Sequence, residues 1–386
     1  MKHEIKEVVA TAINIPLTIE VGPVSARSNL SGVVVEVTTE SGIVGHGFTA
    51  ITEEEIVAAA VNAVAAPNLV GADALHREHI AERLYWLLTP RGQTGYASHA
   101  ISAIDLALWD ILGHATGLPC WRLLGGARQQ VPLYVTFGFG GFSREELSDA
   151  ARHLKAQGVT RFKMVVGHHA LARRNEGNDL RAQLEEDIAR VRTVREALGE
   201  GPDLYVDANC SLDPFSARWL AERIAEYGIA FFEEPIRDNA PSAMAELRRA
   251  AGIPIAAGQN EGQLFRFEQL MAAGAVDVIQ PNAVICGGFT AAAKVGAIAQ
   301  ARNVAMANGG AFPFHNMHLN AGLANGGLVE WHLAAVAMGQ AVFEHLPAPD
   351  GWELPLPEAP GLGFGLDRDK LRDLAGLPLS AGRGKA

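Results

Sequence analysis

Residues 203–210 read DLYVDANC, residues 229–236 read IAFFEEPI, and residues 253–258 read IPIAAG. Each is a short apolar run of strand length, and the first two close on carboxylates, Asp207 and Glu233. The intervals between them fit one βα unit. In a parallel β/α barrel this places both carboxylates at the carboxyl ends of neighbouring strands, where such a barrel assembles its active site. The third run continues into Gln259-Asn260-Glu261. Two carboxylates plus a third oxygen ligand in one mouth describe a hard-cation site, most simply one for Mg²⁺.

Working outward, the same alternation extends in both directions. VPLYVTFG (131–138), TRFKMVVG (160–167), VDVIQPNA (276–283), NVAMANGG (303–310) and GLVEWH (327–332) complete eight strand-like runs separated by helical stretches. The expected fold is α/β: a modified (β/α) TIM-type barrel over 126–335. An α+β capping domain (1–125) precedes it, and a Pro- and Gly-rich C-terminal segment (336–386) packs back on that domain. Within the first part, SGVVVEVTTESGIVGHGFTA reads as a hairpin around Glu40-Ser41-Gly42, and helices are expected over 52–65, 74–88 and 98–110. A polar stretch, HHALARRNEGNDLRAQ (168–183), follows the second barrel strand; it reads either as a substrate lid or as a surface insertion.

Composition supports a globular enzyme-sized chain. Of its 386 residues 48% are hydrophobic and 19% charged, enough apolar material for a large core and too much for a disordered chain. The formal charge of −11 argues against a nucleic-acid binder or a protein that coats anionic membranes, both of which need clustered Lys and Arg. Cys120, Cys210 and Cys286 show no paired spacing, so reduced thiols are expected and no zinc or disulfide framework. No run reaches membrane-spanning length, and the start MKHEIKEVVATAINIPL lacks the core and cleavage site of a signal peptide. A cytoplasmic protein is the expectation.

SAIDLALWDILGHATGLPCWRLLGG (102–126), FKMVVG, VDANC, FFEEP, AAGQN, IQPNAVICGG and LVEWH, in that order, resemble the enolase superfamily in its mandelate racemase and muconate lactonizing branch. The resemblance covers essentially the whole chain. It implies Mg²⁺-dependent removal of the proton alpha to a carboxylate from a small-molecule substrate, by an enzyme that forms homo-oligomers. Dehydration of a hydroxy acid or sugar acid to a 2-keto-3-deoxy acid is the expected reaction. A racemase, epimerase or cycloisomerase is the first alternative, and a metal-retaining binding protein without catalysis the second.

Carried over by position, the metal ligands are Asp207, Glu233 and Gln259. Relatives usually have Glu at the third place, and Glu261 is the alternative donor. Relatives carry Lys-x-Lys on the second strand; here Val165 replaces the second lysine, leaving Lys163 as base or electrostatic partner. Asn282 and Asn308 stand where many relatives have an Asp and a His. An amide cannot act as a base at neutral pH but can bind hydroxyls, so these two and Asn209 are expected to contact substrate. His315 is the substitute acid/base, with a packing role as the alternative, and His318 is read as structural. Glu330 matches an acid that hydrogen-bonds the substrate carboxylate. His168, His169, Arg91 and Gly92 are left open between substrate contact and loop.

Overall fold

The computed structural model describes residues 2–92, 95–168 and 170–378. Its chain begins with three antiparallel strands, β1 (Ile5–Val21), β2 (Val24–Thr39) and β3 (Val44–Ala50). The hairpin expected around Glu40-Ser41-Gly42 joins β2 to β3. The long β1 had not been anticipated, yet its second half alternates strictly: Ile13, Ile15, Leu17, Ile19 and Val21 are buried between polar or proline neighbours. That period of two turns one face of the sheet to the core.

The third expected helix spans Tyr96–Thr116 and is buried along most of its length, sandwiched by β3. Two glycines set that contact. A Cβ on Gly47 would lie 1.8 Å from the Ala103 carbonyl oxygen, and one on Gly45 would lie 2.3 Å from that of Ala107. Only glycine allows the strand to approach so closely. The helix ends at Gly117, whose φ of 72° is the left-handed cap conformation.

Eight parallel strands follow: β4 (Gln130–Gly138), β5 (Arg161–Val165), β6 (Asp203–Asp207), β7 (Ile229–Glu233), β8 (Ile255–Ala257), β9 (Val278–Ile279), β10 (Ala305–Met306) and β11 (Val329–His332). Ladders run continuously from β10 through β9, β8, β7, β6, β5 and β4 to β11. Between β10 and β11 no ladder forms among the described residues. That seam is crossed by Asn308 N–H donating to the Leu328 carbonyl at 2.8 Å and Glu330 N–H donating to Asn308 Oδ1 at 3.1 Å.

Strand periodicity explains the mouth. Tyr134, Tyr205, Phe231 and Ala256 form an aromatic floor, with Val278 and Leu328 packed against it. Two residues further along four of the same strands, on the same face, stand Thr136, Asp207, Glu233 and Glu330. The fold thus converts one alternation into an apolar floor and a polar mouth. Residues 362–364 of the C-terminal segment are tied to both parts. Leu362 N–H donates to Asp110 Oδ1 at 2.8 Å, and its carbonyl and that of Phe364 each lie 3.0 Å from Nε2 of His318 and His46 respectively. Among the described residues no helix is long and apolar enough to cross a membrane. The three cysteines are free.

Candidate functional site

β5 brings Lys163 into the mouth, where its side chain is 1% exposed. Nζ lies 2.8 Å from Glu233 Oε2, 2.9 Å from Glu330 Oε1 and 3.3 Å from Asp207 Oδ2, and 5.4 Å above the centre of the Tyr134 ring. One ammonium is therefore shared by the ends of β6, β7 and β11. Register explains this: Val165 pairs with Asp207 and Asp207 with Glu233, so the carboxylates stand beside each other at one level.

The electrostatics follow from burial. Desolvation opposes the Lys163 charge, but Glu233 and Glu330 overcome it and hold the amine well above the ordinary lysine range. Glu233, desolvated and facing Asp207, is pushed well above the usual carboxylate range despite the lysine. Burial also opposes the Glu330 charge, yet Lys163 and His332 hold that group below its ordinary value. The lysine's charge serves Glu330 first, and Glu233 takes up a proton more readily.

Hydrogen bonds fix the rim. The Thr136 hydroxyl donates to Glu330 Oε1, and the Ala311 N–H donates to Glu330 Oε2 at 2.7 Å. Ala311 sits within Gly310, Ala311 and Phe312, whose φ values of 73°, 73° and 60° are all left-handed. Two non-glycine residues in a row there store strain that the surrounding contacts must hold. Gln259 Nε2 donates to Asp207 Oδ2 at 3.1 Å and to Asn209 Oδ1 at 3.3 Å, and Asn209 N–H donates to Asp207 Oδ1 at 2.8 Å.

Other sequence-derived residues turn elsewhere. Glu261 accepts from Arg266 Nε at 2.7 Å and from Asn239 Nδ2 at 3.0 Å. The Asn282 amide donates to the Gly310 carbonyl at 2.8 Å and accepts from Val284 N–H and Asn316. Asn308 spans the seam and donates to the Gly309 carbonyl. His315 stacks on Phe48 and meets Phe343 and Phe364 edge-on; none of these belongs to the cluster. Burial depresses it well below the ordinary imidazole value, with His46 and His318 adding to the effect. His318 faces Leu362. His168 lies against Gly140. His169 and the side chain of Arg91 lie outside the described residues, and Gly92 ends the helix Arg77–Gly92.

Sequence reasoning passed over Thr136, Tyr134, Gln280 and His332. His332 shares a strand face with Glu330. Burial depresses its pKa, while Glu330 opposes that and Lys163 adds to it. The signal was available, since a side chain two residues after Glu330 points the same way.

The donor chemistry suits a hard cation. Asp207 and Glu233 bring carboxylate oxygens to one locus beside Gln259, whose amide nitrogen faces Asp207 and whose oxygen would face a cation after a half-turn of the amide. Glu233 Oε1 is buried without a partner, as are both amide atoms of Gln280. A Cβ on Gly309 would lie 2.8 Å from Glu233 Oε1 and from Gln280 Nε2, so the glycine leaves the space before these atoms clear. Among the described residues no group of three or more His, Cys, Asp or Glu is disposed to hold a metal ion by itself. A cavity of about 540 Å³, lined in part by Tyr85, Ile101, Phe265 and Lys294, is separate from this mouth.

Family comparison agrees with this geometry. Residues 4–125 match the mandelate racemase / muconate lactonizing enzyme N-terminal domain, and residues 146–370 match the enolase C-terminal domain-like family. The chain belongs to the enolase superfamily, in its mandelate racemase/muconate lactonizing branch. Within this superfamily it is 29% identical to an arabinonate dehydratase of Saccharolobus solfataricus, over 86% of this chain and 87% of that one. It is 31% identical to a 3,6-anhydro-alpha-L-galactonate cycloisomerase of Streptomyces coelicolor, over 89% and 91%. Among solved structures, a racemase from Streptomyces coelicolor A3(2) with bound magnesium superposes with a TM-score of 0.85 at 28% identity, covering 96% of this chain and 99% of the other. Metal-assisted chemistry on carboxylic acids is common ground for this enolase-superfamily chain and its relatives.

Proposed function

We propose that this chain removes the proton alpha to the carboxylate of a sugar acid and eliminates the β-hydroxyl as water, giving a 2-keto-3-deoxy acid. The observation that carries the reading is the Lys163 ammonium held within 3.3 Å of Asp207, Glu233 and Glu330 at the ends of three strands. Asp207, Glu233 and Gln259 are the residues that would hold Mg²⁺. Bound there, the ion would supply positive charge that stabilises an enediolate.

The substrate's carboxylate, arriving beside Glu330, draws the Lys163 proton onto Oε1 across their 2.9 Å contact. Glu330, fixed by Thr136 and the Ala311 N–H, then donates to that carboxylate, and the neutral Lys163 amine takes the alpha proton. The C–H electron pair forms the enediolate, whose collapse breaks the bond to the β-hydroxyl; that group leaves as water with the proton Lys163 has just taken, and the enol then tautomerises to the ketone. Elimination is preferred to racemisation because racemisation needs an acid/base on each face of the carbon. The amides of Asn282 and Asn308 are engaged with backbone groups, and the His315 ring is packed among phenylalanines. A cycloisomerase, the activity named for one relative, is the alternative that starts from the same proton abstraction.

The test is a panel of five- and six-carbon aldonates and aldarates with Mg²⁺, assayed for keto-acid formation and, in D₂O, for alpha-proton exchange. Lys163→Ala is expected to lower turnover by about 10³. Full turnover by that variant rejects Lys163 as the base. Exchange without keto acid favours the isomerase alternative, and neither product nor exchange leaves a binding protein.

A further inference from the structure

The electrostatic neighbours of His332 include Glu330, Lys163 and Asp207, three members of the cluster. Its position follows from β11, where Glu330 and His332 share one face in step with Leu328 just before the strand; Leu328 meets the floor, Glu330 meets Lys163, and His332 comes next outward. It pairs in register with Thr136 of β4, and its ring lies 5.2 Å from that of Phe139, tilted by 58°. This neighbour limits where the imidazole can swing. The residue is half-buried, at the outer edge of the mouth.

A second contact fixes its tautomer. His332 caps the following helix, Leu333–Val342, by accepting the Ala335 N–H at Nδ1, 3.4 Å away. A nitrogen that accepts carries no proton, so in the uncharged ring the proton resides on Nε2. The Ala335 N–H is the hydrogen-bond partner that another described residue gives this ring, and it lies at Nδ1. Nε2–H thus has no partner on another described residue, on a side chain that shares its strand face with Glu330.

We infer that His332 is a specificity-determining residue: its Nε2–H donates to a hydroxyl farther along the substrate than the carboxylate facing Glu330, selecting five- and six-carbon polyhydroxy acids over short ones. The inference rests on the proposed function for the placement of the substrate carboxylate. Two strand residues advance about 6.6 Å, beyond the reach of a two-carbon acid anchored at Glu330 and within that of a sugar acid. An acid that lacks an oxygen there leaves the donor unpaired and the acid poorly held.

Two measurements test this. Wild-type protein with ¹⁵N-labelled histidine and Mg²⁺ is titrated with the aldonate and aldarate panel and with glycolate, with His332 assigned by comparison with His332→Phe. The expected spectrum is that of the Nε2–H tautomer, and the resonance moves with at least one long acid and not with glycolate. His332→Phe, which keeps a ring against Phe139, should weaken that long acid about tenfold in KM and in calorimetric affinity, with a clearly smaller change for glycolate. An Nδ1–H tautomer, an equal response to glycolate, an unchanged affinity in the variant, or a panel in which no long acid outbinds glycolate overturns the inference. Should long acids bind as described while no keto acid forms, the reaction assignment falls and the His332 role stands on the binding and tautomer data.

Discussion

Acid should loosen this fold through His318. Its Nε2 lies 3.0 Å from the Leu362 carbonyl, so that nitrogen is the donor, and Nδ1 is left buried without a partner. Protonation would place a second N–H at Nδ1 in an apolar setting. Burial accordingly depresses the group from 6.5 to about 3, with the Leu362 bond opposing the shift. Because the folded value is the lower one, the unfolded chain binds the proton first. The stabilising contribution is full above 6.5 and is lost as pH falls from there toward 3. At pH 5 the deficit relative to pH 8 is about 1.5 units times 1.36, or about 2 kcal/mol. His99, whose Nδ1 lies 2.6 Å from the Thr49 hydroxyl, is depressed by burial to about 4 and adds a similar loss at the same pH. Urea unfolding followed by circular dichroism at the two pH values, for the wild type and His318→Gln, measures the difference. The variant keeps a donor for Leu362 and cannot titrate, so its loss between the two pH values should be smaller by about 2 kcal/mol. Identical pH dependence in the two proteins would refute the reasoning.

Two further outcomes follow from named contacts. Gly47→Ala drives a Cβ to 1.8 Å from the Ala103 carbonyl oxygen, backbone that cannot swing aside, and should cost about 3 kcal/mol or more in a denaturant midpoint comparison. A midpoint indistinguishable from wild type would mean that β3 does not press on the helix as described. Gln259→Glu adds a third carboxylate to the proposed cation site and should tighten Mg²⁺ by about tenfold in calorimetry; unchanged or weaker affinity would remove Gln259 from the ligand set.

The barrel was legible because its parallel strands are covered on both faces and so read as continuous apolar runs, and a carboxylate closing such a run stands out. Strand extents were less legible. NVAMANGG suggests a strand over 303–310, but pairing covers only Ala305–Met306; Asn308 then bonds across to Leu328 and Glu330, and three left-handed residues follow, from which Ala311 reaches Glu330. That turn depends on a partner on another strand. His315 illustrates the same limit: its surroundings come from Phe48, Phe343 and Phe364, brought together only by the folded chain. Glu261 turned toward Arg266, five residues away, a pairing that competes with any metal and that a motif alone does not weigh. His332, by contrast, followed from the alternation that places Glu330, and needed only to be carried one step further.

Asn308 bears on how experiments at this mouth are to be interpreted. Its backbone N–H and its side-chain oxygen are the two stitches that hold β10 to β11, its amide braces Gly309, and its carbonyl accepts the Tyr134 hydroxyl at 2.6 Å. Side chain and backbone at this one position therefore align Glu330 and the floor together. Lost turnover in an Asn308 variant would be ambiguous in origin, since the same cut that deletes an amide also unfastens the wall that carries the acid. Attribution at this address requires a probe of architecture alongside every rate.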